Sequence, residues 1–133
     1  MSTRFPYDSA YDPPAPSCPI VLSTATGDSS LPLTAIIDSG ADATIVPLHH
    51  LKVLGAKRAF AASLRSQWGE RRKVFLYFVD VRIAQLTLPG VYVVGDEQGN
   101  EVVLGRNVLN RLRLLLDGPA LTAALVEDDG SSS

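Results

Sequence analysis

From about residue 20 to residue 126 the chain alternates short apolar runs with clusters of glycine, proline, aspartate and serine. This punctuation is typical of an all-β protein. In the run KVFLYFVDVRI, apolar side chains recur at every second position, which is the period of a half-buried strand. We therefore predict an all-β fold with strands over Ile20–Ala25, Leu33–Ile37, Ala43–Val46, Ala59–Ser66, Lys73–Ile83, Gly90–Val94, Glu101–Leu104, Arg113–Leu116 and Ala120–Val126.

Helical patterning is confined to two short stretches. PLHHLKVLG, which starts at Pro47, is long enough for one or two turns. RNVLNRL, from Arg106 to Leu112, places Val108, Leu109 and Leu112 on one side of a helix. The second stretch predicts one short helix near the C-terminus.

The length of 133 residues suits a single domain with one core. Residues 1–17 are rich in proline, tyrosine, aspartate and serine and lack periodicity, which predicts an extended N-terminal arm, mobile unless a partner captures it. We expect residues 18–126 to form the domain. The tail EDDGSSS, residues 127–133, has the composition of a disordered segment.

The net charge of −2 argues against a general nucleic-acid binder, which would carry a basic surface. The charge is unevenly distributed, because the span Lys52–Arg82 contains eight basic residues and two acidic ones. Two interpretations remain open for this span. It is either a solvated strand face or a surface that attracts an acidic ligand.

The single cysteine, Cys18, excludes an internal disulfide framework and a cysteine-based zinc cluster. His49 and His50 have no third ligand at metal spacing, so we expect neither a metal nor a cofactor. The N-terminal residues lack the apolar core of a signal peptide, and no apolar run approaches the roughly 20 residues needed to span a bilayer. These features predict a cytoplasmic protein without a membrane partner.

The stretch IIDSGADATIV, Ile36–Val46, places an acid at the end of an apolar strand. Burial of a carboxylate is costly unless it is paired, hydrogen-bonded or used in chemistry. Gly40 permits a tight turn with positive φ, Ser39 adds a hydroxyl, and Asp42 is a second acid in the same loop. Taken alone, the tripeptide also fits an ordinary Asx-type turn in which Asp38 caps its own backbone.

A second element follows later in the chain, within VVLGRNVLNRLRLLLDG, Val102–Gly118. The two elements together resemble the retropepsin-like aspartic proteases, the small dimeric relatives of pepsin. Their signature is an apolar-apolar-Asp-Thr/Ser-Gly-Ala loop followed by an apolar-apolar-Gly-Arg-Asn/Asp-x-Leu element. The resemblance runs from about Pro19 to Leu125 and implies a closed β-barrel of the acid-protease type that hydrolyses peptide bonds.

The resemblance implies a role for each residue of the first element. Asp38 falls on the catalytic aspartate. Ser39 falls on the hydroxyl that, in relatives, hydrogen-bonds to the matching loop of the partner subunit. Gly40 falls on the position whose carbonyl meets the substrate backbone, and Ala41 completes the loop signature.

Two further positions of the resemblance form a pair. Asp42 and Arg106 fall on an acid and an arginine that bind each other in relatives and so tie the catalytic loop to the late helix. A contact between an arginine and a carboxylate is geometrically exacting when both nitrogens take part. We therefore predict an ion pair between Asp42 and Arg106.

Hydrolysis of a peptide by acids requires two carboxyl groups that share one proton, because like charges about 3 Å apart cannot both ionise. The chain has one Asp-Ser-Gly and no internal repeat, and Asp117 follows a strand as a turn acid. The second carboxyl group must then come from another copy of the chain, which predicts a C2 homodimer. Relatives interleave terminal segments into a shared sheet, for which Ala120–Val126 and the arm before Ile20 are the candidates.

Relatives also cover the cleft with a β-hairpin flap whose glycine-rich tip binds the substrate backbone. The corresponding hairpin lies between Ala59–Ser66 and Lys73–Ile83, with Gln67, Trp68 and Gly69 at its tip. The single glycine and the large aromatic residue depart from the family pattern. Trp68 lies either on the barrel surface or against a substrate side chain.

The sequence leads to a homodimeric aspartic endopeptidase that cuts extended peptides without a metal or cofactor. A second hypothesis keeps the fold without the chemistry, as a catalytically silent dimeric peptide-binding or scaffold module. A third hypothesis is a plain β-barrel domain in which Asp38 is only a turn residue.

Overall fold

The computed structural model describes residues 2–65 and 69–127 of the chain. In these residues the chain forms ten strands and two short helices: β1 Ser2–Pro6, β2 Ser17–Ser23, β3 Ser30–Ile37, β4 Thr44–Pro47, α1 Leu48–Leu54, β5 Lys57–Arg65, β6 Arg71–Ile83, β7 Leu86–Asp96, β8 Val102–Leu104, α2 Arg106–Leu109, β9 Leu114–Asp117 and β10 Thr122–Val126. Neither helix in the described part of the chain is long and apolar enough to cross a membrane.

Six strands close into a barrel in the order β2-β3-β8-β4-β7-β6, because β6 pairs with both β7 and β2. Strand β5 lies outside the ring as the partner of β6. The prediction of an all-β closed barrel is confirmed. The helix near the C-terminus is present but ends at Leu109, three residues earlier than its pattern predicts, and α1 adds a second helix where PLHHLKVLG left one or two turns open.

The main core fills the barrel interior, where alternate residues of each strand meet. Fully buried aliphatic side chains from β2, β4, β6, β7 and β8 dominate it: Ile20, Leu22, Val46, Val79, Val81, Ile83, Val93 and Leu104. Thr44 is also fully buried, and such a hydroxyl needs hydrogen-bond partners. Its partners connect the core to the loop that carries Asp38.

The N-terminal segment differs from the extended arm predicted from its composition. Ser2–Pro6 is a strand that pairs antiparallel with β10, and Phe5 is buried opposite Ala123. Farther on, the hydroxyl of Tyr11 donates to the carboxylate of Glu101, just before β8. Composition did not show this because the strand depends on an edge that the distant end of the chain provides.

A three-stranded sheet, β1-β10-β9, therefore lies beside the barrel. Strand β10 is its central member, with Leu125 paired to Leu114 of β9 on one side and to Thr3 of β1 on the other. The free edges of this sheet belong to β1 and β9. Residues 128–133 lie outside the described residues, so the disordered tail stays a prediction.

Candidate active site

Asp38 is the first residue after β3, at the tip of a tightly hydrogen-bonded turn. Its backbone N–H donates to the carbonyl of Leu104 over 3.1 Å, which fixes the start of the loop on β8. Its carboxylate Oδ1 accepts the N–H of Gly40 over 2.9 Å, and its carbonyl accepts the N–H of Ala41 over 3.1 Å. The side chain is exposed, so the carboxylate is presented to solvent by a fixed backbone.

Arg106, the first residue of α2, holds the same loop from the other side. Its guanidinium donates to the carboxylate of Asp42 and, through Nη1, to the carbonyl of Ser39 over 2.8 Å. Its backbone N–H donates to the carbonyl of Ala41 over 2.8 Å. The predicted ion pair between Asp42 and Arg106 is confirmed. Because both side chains are substantially exposed, the pair contributes little to overall stability and chiefly fixes the position of the loop.

A chain of polar contacts that starts at the buried Thr44 supports this arrangement. The Thr44 hydroxyl accepts the N–H of Gly105 over 3.1 Å and donates to Oδ1 of Asn107 over 2.8 Å. The Asn107 amide nitrogen donates to the carbonyl of Tyr92 over 2.9 Å, which links α2 to β7. Sequence reasoning missed the part played by Thr44, although a polar residue at a core-facing position of an apolar strand is a usable signal.

Gly105 is required by the close approach of two backbones. A Cβ atom at this position would lie 2.2 Å from the carbonyl oxygen and 2.4 Å from the carbonyl carbon of Ala43. Its φ of −93° is open to any residue, so space alone selects glycine here. Gly105 therefore lets α2 begin directly against the chain that follows the Asp38 loop.

An apolar row crosses the outer face of the barrel beside Asp38. Ala35 and Ile37 are buried in the interior, so the alternation of β3 places Ile36 on the outer face. Asp38 follows Ile36 by two positions and continues that face. Directly paired residues share a face of a sheet, and the pairing continues the apolar row across six strands: Ile36, Val103, Ile45, Val94, Leu76 and Phe60.

The apolar row differs from a normal solvent-facing surface of a barrel. Its members are largely half-buried, Val94 is fully buried, and Phe60 at its end is 50% exposed. Phe60 and Phe78 both meet the ring of Tyr92 edge-on, with centroids 5.2 and 5.3 Å apart. An extended apolar surface next to an exposed carboxylate is suited to an extended peptide chain.

The hairpin predicted as a flap is present, since β5 and β6 pair antiparallel from Lys57 to Arg65. Of its predicted tip, Gly69 is exposed and has a φ of +84°, a conformation that favours glycine. Gln67 and Trp68 lie outside the described residues, so their contact with a substrate stays a prediction.

The described residues contain no group of three or more histidine, cysteine, aspartate or glutamate side chains placed to hold a metal ion. The rings of His49 and His50 lie against each other, with centroids 4.0 Å apart. Burial, followed by the neighbouring His49, lowers the pKa of His50. Burial alone raises the pKa of the Cys18 thiol to about 12.

Comparison with solved structures identifies the architecture. The chain is similar to a retropepsin-like aspartic protease from Rickettsia conorii, with a TM-score of 0.62 and 13% identity over 94% of this chain and 91% of that one. It is also similar to the EIAV protease in complex with the inhibitor HBY-793, with a TM-score of 0.52 and 18% identity over 73% of this chain and 86% of that one. No family model matches the sequence, and no curated protein matches it either.

The chain therefore has the retropepsin-like fold, as the resemblance of its two sequence elements implied. Likeness at 13% and 18% identity concerns the fold.

Proposed function

We propose that the protein is an aspartic endopeptidase whose active site forms between two copies of the chain. The observation that carries this proposal is the loop of Asp38. An exposed carboxylate stands on a backbone that hydrogen bonds fix to Leu104 of β8 and to Arg106 of α2. A turn residue of an ordinary β-barrel has no need of an arginine that binds its loop through both its backbone and its side chain.

The chemistry follows from two carboxyl groups that share one proton. The ionised group removes a proton from water, the water oxygen adds to the peptide carbonyl carbon, and the protonated group donates to the carbonyl oxygen. Breakdown of the tetrahedral species returns a proton to the leaving amine and leaves a free acid and a free amine. The pair titrates as a unit, so activity is greatest on the acidic side and falls when both groups ionise.

One chain supplies one of these carboxyl groups. Asp42 is bound to Arg106, and the carboxylate of Asp117 accepts the N–H of Ala120 over 3.2 Å, as a turn residue does. A second copy related by a two-fold axis would bring a second Asp38 to face the first.

The free edge of β9 is the surface we assign to this dimer. Leu115 and Leu116 on that edge are 58% and 51% exposed, and an exposed apolar edge strand invites pairing with another chain. The expectation that Ala120–Val126 interleaves with a partner is corrected here, since β10 is already paired on both sides within its own chain. A second β9 added at this edge would cover both leucines.

Cleavage of a peptide library, read by mass spectrometry from about pH 3 to 8, tests the proposal, since this range spans the ordinary carboxyl pKa values. Wild type and Asp38→Asn are compared at equal protein concentration. We expect acid-favoured cleavage by the wild type and none by the variant. A folded wild-type dimer that cleaves nothing would contradict the endopeptidase and favour the silent peptide-binding module. Cleavage by a strict monomer would exclude the shared site.

A further inference from the structure

The basic residues at the end of the β5–β6 hairpin divide between its two faces. Leu76 belongs to the apolar row, so Arg72, four residues earlier on β6, lies on the same face by the alternation of the strand. Arg71 and Lys73 lie on the opposite face. Lys73 shows this directly, because its ammonium group lies over the ring of Phe75, 5.6 Å from the centroid.

Arg72 is a cation at the hairpin end of the face that carries the apolar row. It is paired with Leu64 of β5, and its side chain is 53% exposed. Its Nη1 donates to Oε1 of Gln98 over 3.2 Å. Its Nη2 lies 3.8 Å from Oδ1 of Asp96, which is beyond hydrogen-bond distance.

Asp96, the acid beside Arg72, already accepts a hydrogen bond within its own turn. Oδ1 of Asp96 accepts the N–H of Gln98 over 2.9 Å and so organises the chain that follows β7. A guanidinium carries five N–H donors in a planar fork that fits a carboxylate. Arg72 therefore retains donors for a second, better aligned acid.

Space for such an acid lies beside the guanidinium. A cavity of about 180 Å³ opens at the end of strands β6 and β7, large enough for one side chain. Two cations and one anion contribute to its wall, which is formed by Arg72, Lys73, Val74, Phe75, Gly95, Glu97 and Gln98. Val74, which lines the cavity, lies two residues from Leu76 on the same face of β6, so this wall of the cavity lies beside the apolar row.

We propose that Arg72 binds an acidic side chain of the substrate, so that the enzyme favours extended peptides that are apolar near the cleaved bond and carry an aspartate or glutamate farther away. This proposal rests on the endopeptidase function proposed above. Strands β8, β4 and β7 lie between β3 and β6, and neighbouring strands are about 4.8 Å apart. The acid therefore sits several residues from the bond that is cut.

The test uses apolar dodecapeptides in which one glutamate, or one glutamine in its place, is moved through every position. The ratio of kcat/KM for each glutamate and glutamine pair is measured with wild type, Arg72→Gln, Arg72→Lys and Arg71→Gln. Arg71→Gln is the matched control, because it removes the adjacent charge on the opposite face. Dissociation constants of the same peptide pairs on Asp38→Asn, with and without Arg72→Gln, report binding without chemistry.

We expect glutamate to be favoured about tenfold at one or a few positions, the size of one charge-assisted contact. The preference should disappear in Arg72→Gln, survive in part in Arg72→Lys and persist in Arg71→Gln. Equal cleavage of glutamate and glutamine peptides by the wild type would overturn the acidic-substrate proposal and leave the endopeptidase intact. If no peptide is cleaved, the endopeptidase fails and the binding ratio decides the role of Arg72. If Asp38→Asn binds the glutamate and glutamine peptides equally, or binds neither, the proposed role of Arg72 in binding an acidic side chain is overturned.

Discussion

Replacement of Gly105 by alanine tests whether the loop of Asp38 depends on the close approach of two backbones. The added methyl group would lie 2.2 Å from the carbonyl oxygen of Ala43 and 2.9 Å from its nitrogen. Both atoms belong to the backbone, so no side chain can rotate to relieve the contact. The chain must separate by about 1 Å to reach an ordinary contact distance of about 3.5 Å.

The expected loss of unfolding free energy has two parts. Insertion of a methyl group into a closely packed site costs about 1–3 kcal/mol. Separation of the backbones also strains the hydrogen bond from the Gly105 N–H to the hydroxyl of Thr44, and an unpaired buried N–H costs about 1–3 kcal/mol. Gly105→Ala should therefore be destabilised by about 2–6 kcal/mol, a large share of the stability of a typical domain.

Urea unfolding measures this loss, with Gly118→Ala as the matched control. A Cβ at Gly118 meets nothing within 4 Å, so the control adds the same methyl group to open space. We expect the control to stay within about 1 kcal/mol of the wild type, because loss of glycine also reduces the entropy of the unfolded chain. Equal unfolding free energies for the two variants would refute the argument that steric contact selects glycine at residue 105.

Three further predictions concern the hydroxyl of Thr44, the exposed side chain of Leu116 and the buried thiol of Cys18. Thr44→Val keeps the shape of the buried side chain but leaves the N–H of Gly105 without its acceptor, so urea unfolding should show a loss of about 1–3 kcal/mol, whereas Thr44→Ser should retain the hydrogen bond. Leu116→Asp should shift the mass measured by light scattering from dimer to monomer, and Val53→Asp at a more exposed apolar site on α1 should leave it unchanged; a Leu116→Asp dimer would exclude the β9 edge. The pKa of Cys18, raised to about 12, keeps the thiol protonated at pH 8, so a thiol reagent should modify the protein only after unfolding in urea, and rapid modification of the native protein would contradict the burial of this side chain.

The strands of this chain were predictable because their signals are local. Each of the nine strands predicted from apolar runs and turn residues overlaps an observed one, from Ser17–Ser23 to Thr122–Val126. The strand Ser2–Pro6 was missed because five residues with one buried aromatic carry no alternation strong enough to detect. Its partner lies more than 115 residues away, and no property of either segment alone shows that the two edges meet.

The candidate site was predictable where a residue type is tied to a fixed backbone geometry. The turn at Asp38 and the ion pair of Asp42 with Arg106 were predictable because each is carried by a short motif. The positive φ expected of Gly40 is wrong, since Gly40 is not among the described glycines with positive φ, and its N–H donates to Asp38 instead. Thr44 gives a weaker signal, a polar residue within an apolar strand, because its core-facing position depends on strand register; the contact of Arg72 with Gln98 depends on register as well. A shift of one residue would exchange the core face and the outer face of either strand.

In the sheet β1-β10-β9, the contacts that complete the fold differ from those that would form the proposed dimer. Strand β10 finds both of its partners within one chain, and the barrel closes without a second copy, so a single chain can complete its core. In the proposed dimer, the second Asp38 and the cover for Leu115 and Leu116 come from another copy. Activity at low concentration should therefore rise with the square of the protein concentration, while the unfolding free energy of the Leu116→Asp monomer stays independent of it. A monomer that unfolds on dilution would show instead that the second copy is part of the fold.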